Sequence, residues 1–123
     1  MCTNELDNLF QEVNALASAV WLRPLGSTIP STDSPAMLEA TYLLVHYTTR
    51  LHAYLLQEGI ACTYKPSRGP QTITVHIDGY YPFTVSVWFH LIYVELYDCI
   101  TVQDVLSEVK KVIERDKSLQ RLT

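Results

Sequence analysis

Thr72–Ile77 and Phe83–Phe89 are two alternating runs of residues that meet around Asp78-Gly79. Side chains on a strand alternate between faces, so Ile73, Val75 and Ile77 share one face. Phe83, Val85, Val87 and Phe89 share one face of the next strand. Gly takes positive φ without penalty, and Asp-Gly between alternating runs is a strong short-range hairpin signal. Tyr80, Tyr81 and Pro82 lengthen the connection beyond two residues, which leaves the turn type open. An antiparallel hairpin follows, with one apolar face and one face of Thr72, Thr74, His76, Thr84, Ser86, Trp88 and His90.

The parity of the apolar residues changes after Phe89, from odd numbers to Ile92, Val94 and Leu96. A slip of one residue turns every later side chain over. Either a bulge near His90-Leu91 or a turn that starts a fourth strand restores the core face. The break holds no Gly, Pro, Asn or Asp, which favours a bulge in one long bent strand. In that reading Tyr93, Glu95 and Tyr97 join Trp88 and His76 on the second face, with Tyr64 nearby and Tyr80 and Tyr81 at the hairpin end. Tyr and Trp are enriched in interface cores, where a ring is buried and its polar tip finds a partner. This aromatic face is the leading candidate for partner binding, against the alternative that a helix of the same chain covers it.

The flanking segments read as helices. Leu6, Leu9, Phe10, Val13, Leu16, Ala17 and Val20 recur at helical spacing, and Pro24 ends the run. This narrow stripe fits either packing within the domain or a dimer seam formed by Leu6, Leu9, Phe10 and Val13. Residues 23–33 form a Ser-, Thr- and Pro-rich loop or linker. Ser34-Pro35 starts a second helix that runs to Glu58, with Gly59 as its left-handed C-terminal residue. Its main apolar face is Met37, Ala40, Leu44, Tyr47, Leu51 and Leu55, flanked by Leu38, Val45 and Leu56. Ile60–Tyr64 is a short strand. Thr101-Val102-Gln103-Asp104 resembles a capping box with Asp in the acidic position. Val102, Val105, Leu106, Val109, Val112 and Ile113 then form the buried face of a last helix. The expected fold is α+β: an antiparallel sheet of three or four strands with two or three helices, in the order α-α-β-β-β-(β)-α. A single domain over residues 1–123 is expected, with residues 34–123 as its α+β core.

Composition narrows the function. A chain of 123 residues with 48% hydrophobic residues has enough apolar surface for its own core. Its net charge of −4 argues against nonspecific binding to nucleic acid or an anionic membrane. Cys2, Cys62 and Cys99 are odd in number and unpaired in spacing, so no disulfide framework is expected. No secretory leader or membrane span is read, and the expected location is the cytoplasm of a cell or an infected host.

None of His46, His52, His76 and His90 stands four residues from another or at zinc spacing, so no metal or cofactor is expected. His46 and Arg50 read as a solvated helix face or an anion contact. Cys99, ahead of the last helix, reads as a small buried residue or as a thiol with its pKa lowered by the helix terminus. Lys65, Arg68 and Gly69 read as an ordinary polar loop or a phosphate contact.

From residue 34 the element order, with Gly69-Pro70 before a strand, resembles a double-stranded-RNA-binding domain over most of residues 34–115. That family carries a Lys-rich start to its last helix, where this chain has Thr101-Val102-Gln103-Asp104-Val105. The phosphate-contacting part is absent, and the family is not adopted. The expected function is a small acidic protein-binding module: an inhibitor, immunity protein, adaptor or chaperone-like accessory, with possible self-association. The alternative is a small-molecule binder or minor enzyme with a pocket between sheet and helix 2, lined by Tyr47 and Tyr54. RNA binding ranks third.

Overall fold

A computed structural model describes residues 3–21, 35–65, 71–77, 79, 82–89, 91–95, 97–99 and 101–121. The expectations for the 23–33 linker, Arg68, Gly69, Tyr80, Tyr81 and His90 lie outside these residues. The described elements are α1 (Thr3–Trp21), α2 (Pro35–Gln57), β1 (Cys62–Lys65), β2 (Gln71–Val75), β3 (Phe83–Trp88), β4 (Leu91–Val94), β5 (Tyr97–Cys99) and α3 (Val102–Arg121). The α+β class holds, with five strands rather than three or four, all antiparallel and in sequential order β1-β2-β3-β4-β5.

The expected single bent strand with a bulge is corrected to three short strands. Trp88 pairs with Leu91, so two residues separate the paired ends of β3 and β4. Val94 pairs with Tyr97, again with two residues between the paired ends. An even-numbered connection pairs odd residues with even ones: Val85 with Val94, and Val87 with Ile92. The change of parity after Phe89 therefore arises from the two-residue spacing between paired strand ends, with no extra residue in the ladder. Glu95 has φ of 56°. Two-residue hairpins favour turns whose first central residue has positive φ, a position usually filled by Gly, Asn or Asp. Here Glu occupies it, and its carboxylate pairs with Arg115 of α3.

One face of the sheet holds the core. Ile73, Val75, Val85, Val87, Ile92 and Val94 are fully buried there. Each such side chain contributes about 1.5–3 kcal/mol through removal from water. Helix α2 lies over β1, β2 and β3, and α3 lies over β4 and β5. Helix α1 packs mainly on α2 and touches α3. The stripe Leu6, Phe10 and Val13 is buried in the same hydrophobic cluster, with half-buried Leu9 beside it. The Phe10 and Tyr47 rings meet at 5.0 Å. Of the two readings of this stripe, packing within the domain is the one seen: the residues of the alternative dimer seam are occupied within one chain.

The helix ends follow local chemistry. Gly59 has φ of 84°, and Ile60 N–H donates to Leu55 O while Gly59 N–H donates to Leu56 O. These are the two hydrogen bonds of a Schellman ending, which a left-handed Gly permits. The capping box is present: Asp104 N–H donates to Thr101 Oγ1, and Thr101 N–H donates to Asp104 Oδ2, both at 3.2 Å. A third contact comes from far along the chain. Val102 N–H donates to Asp7 Oδ1 at 2.8 Å, which ties α1 to the start of α3. An anionic acceptor at a helix N-terminus is favoured by the orphan amides and the helix dipole.

Candidate functional site

The opposite face of the sheet is uncovered by any described element. Its residues are Thr63 and Lys65 on β1, Thr72 and Thr74 on β2, Thr84, Ser86 and Trp88 on β3, Leu91 and Tyr93 on β4, and Asp98 on β5. None of them is buried. Alternation along each strand forces this result, because every second residue is committed to the core.

The face is divided. Its β1–β2 half is small and polar, and its β3–β4 end is apolar and aromatic. Trp88 is 47% exposed and pairs directly with Leu91. Tyr93 pairs with Ser86, one step along the same face, which places it about 7–8 Å diagonally from Trp88. An exposed Trp flanked by Leu and Tyr leaves apolar area in water, the kind of surface that partners cover. One row crosses the sheet as Lys65, Thr72, Ser86, Tyr93 and Asp98. Its charges sit at the two edges and have opposite signs.

The expected aromatic cluster is only partly assembled. Trp88 and Tyr93 come together. His76 lies just past the end of β2, whose last residue Val75 pairs with Phe83, five residues along β3 from Trp88. That is about 17 Å at strand spacing. His76 instead meets Thr63, with Nε2 3.0 Å from Oγ1. Tyr97 is corrected to the other face. It pairs with Val94, whose side chain is in the core, so the second tight turn reverses the parity assumed for it. On the short edge strand β5 it is still 51% exposed. Tyr64 is likewise on the helix side: its hydroxyl donates to Gln71 Oε1 at 2.6 Å, and burial pushes its phenol pKa up. Sequence reasoning missed Leu91 as the direct partner of Trp88, because the bulge reading gave the two residues no pairing.

The other candidates have ordinary surroundings. Cys99 is buried, and its thiol pKa is pushed up to about 11 by burial first, then by Asp104, Glu108 and Asp98. Burial, with these acids beside it, keeps the thiol protonated near neutral pH. Burial also raises the Cys62 thiol pKa. His52 Nε2 lies 3.0 Å from Cys62 O, the contact of a structural imidazole N–H donor. His46 is exposed and Arg50 half-buried on the α2 surface. Tyr47 and Tyr54 belong to the hydrophobic core rather than to an open pocket. A shallow groove of about 350 Å³ lies instead between α1 and α2, lined by Glu12, Ala15, Leu16, Glu39 and Leu43. Among the described residues, no three His, Cys, Asp or Glu side chains converge as a metal site requires. Among them, too, no helix is long and apolar enough to cross a membrane. No family model matches the chain, and neither a curated protein nor a solved structure matches it.

Proposed function

We propose that this chain is a small acidic protein-binding module that associates stoichiometrically through the sheet face that no described element covers. The observation that carries the reading is the Trp88–Leu91–Tyr93 corner. It leaves a large ring half in water on a face that no described helix covers. Interface energy concentrates in a few aromatic anchors surrounded by polar neighbours, and the Thr and Ser residues beside this corner supply such a rim. Rigid strands hold the three side chains, so little entropy is lost in ordering them on association. The described cysteines are free thiols, which suits a reducing cytoplasm of a cell or an infected host.

The test compares wild-type and Trp88→Ala chains as bait, with nuclease treatment, at low and moderate salt. Loss of a Trp anchor costs about 2 kcal/mol or more of binding. The Trp88→Ala chain is expected to lose its stoichiometric partner, whether another protein or a second copy, while keeping a cooperative melt. Equal capture by both chains contradicts the reading.

A further inference from the structure

We infer that the sheet face is occupied by a second copy of this chain, in a two-fold, face-to-face dimer whose axis runs along β3. The inference rests on the proposed use of that face for binding and names its occupant.

Strand β3 is the middle strand of the five, with β1 and β5 each two strands away. Neighbouring strands are about 4.8 Å apart, so Lys65 and Asp98 stand about 10 Å to either side of β3. A two-fold axis lying in the interface along β3 exchanges left and right. It places β1 of one copy over β5 of the other, and β2 over β4. Each Lys65 then faces an Asp98, twice by symmetry. Each Tyr93 faces a Thr72, so the bulky side of one sheet meets the small side of its partner. Ser86 and Thr84 lie near the axis, and Trp88 lies beside its own copy. An in-plane axis perpendicular to the strands would instead set Lys65 on Lys65 and Asp98 on Asp98. Like charges in apposition are costly, so the charge pattern selects the axis along β3.

The geometry fits ordinary sheet packing. Packed sheets lie about 10 Å apart with strands inclined by about 30°. At 10 Å from the axis that inclination displaces facing residues by about 5 Å, which a lysine side chain spans. The strands of 4, 5, 6, 4 and 3 residues present a projected area of about 350 Å² per copy. Side-chain relief adds to the roughly 700 Å² total, which keeps the interface below the standard size and in the weak class. The dimer is therefore weak and reversible.

Sedimentation velocity from low to high micromolar concentration tests this on wild type, Lys65→Glu, Asp98→Lys, the double variant and an equal mixture of the two single variants. Lys65 and Asp98 are exposed, so these changes leave the core intact. Wild type is expected to shift from monomer to dimer. Each single reversal raises the dimer Kd about tenfold, since two contacts change at once. The double variant returns near wild type, and the mixture pairs more tightly than either component. A wild-type chain that stays monomeric overturns the second-copy inference, as do charge reversals without effect or without mutual rescue. If wild type is monomeric and Trp88→Ala still abolishes capture of another protein, the occupant is wrong but the binding face stands. If a wild-type dimer persists unchanged in Trp88→Ala and in both reversals, the copies meet through another surface and the second-copy inference for this face is overturned; equal capture of another protein by wild type and Trp88→Ala then removes the face as well.

Discussion

The two faces of the sheet come from the same strands and have opposite characters. Toward the helices, Val85 and Val87 disappear completely from solvent. Between and beside them on β3, Thr84 and Trp88 remain exposed and Ser86 half so. The inner face needs only apolar residues at alternate positions, so its composition follows from burial. The outer face has no such requirement, yet it is not uniformly polar. Its Thr-rich half is what solvent alone asks of a strand, whereas Trp88, Leu91 and Tyr93 leave apolar area in water, the feature on which the proposed binding role rests. The contrast separates residues buried by folding from residues left exposed by it, one position apart in the chain.

Variants on the two faces can break that separation. The largest effect is expected from Val109→Asp on α3, fully buried against the inner face. It places an unpaired charge in the core, costs several kcal/mol and should abolish cooperative unfolding. A melt within a degree or two of wild type would show that α3 is not packed as described.

Alkaline pH probes the same buried layer. Cys99 titrates near 9.0 when unperturbed and is pushed up to about 11 in the folded chain. A raised folded pKa means that the folded state holds the proton longer. Its contribution is complete below pH 9 and is lost as pH rises through about 11, up to about 2–3 kcal/mol. Urea midpoints between these pH values should fall, and Cys99→Ala should flatten the fall. An unchanged slope in the variant would remove Cys99 as its cause.

Asp7→Ala should cost about 1–2 kcal/mol, because Val102 N–H loses its acceptor at the α3 start. A calorimetric midpoint equal to wild type would show that water or the capping box replaces it. The smallest effect lies at the rim, where Glu95 holds φ of 56°. Glu95→Gly relieves about 1 kcal/mol of backbone strain and gives up a surface ion pair of lesser worth, so a slight rise in midpoint is expected. A clear drop would show that the Arg115 contact outweighs the strain.

Much of the inner face was legible in the sequence. The alternation in Thr72–Phe89 names its β2 and β3 residues, Gly59 marks the end of α2, and Thr101 with Asp104 marks the start of α3. What escaped depends on turns without the usual turn residues. Phe89-His90 and Glu95-Leu96 contain no Gly, Pro, Asn or Asp, so the tight connections carried no local signal. Tyr97 consequently seemed to share a face with Tyr93, and the three-residue β5 was too short to show alternation. The Asp7–Val102 contact joins positions 95 residues apart, beyond the reach of any local pattern. Trp88 and Tyr93 were legible as outward residues, but their separation from His76 required the register.

Urea unfolding of Val87→Ala and Trp88→Ala, measured side by side, tests the division of labour most directly. The residues are adjacent on β3 and differ in face. Val87→Ala should lose about 2 kcal/mol through lost burial and a residual cavity. Trp88→Ala removes far more atoms and should lose less than about 1 kcal/mol, as expected for a surface position. A larger loss for Trp88→Ala than for Val87→Ala would place Trp88 in the core of the chain and contradict the account of an open binding face.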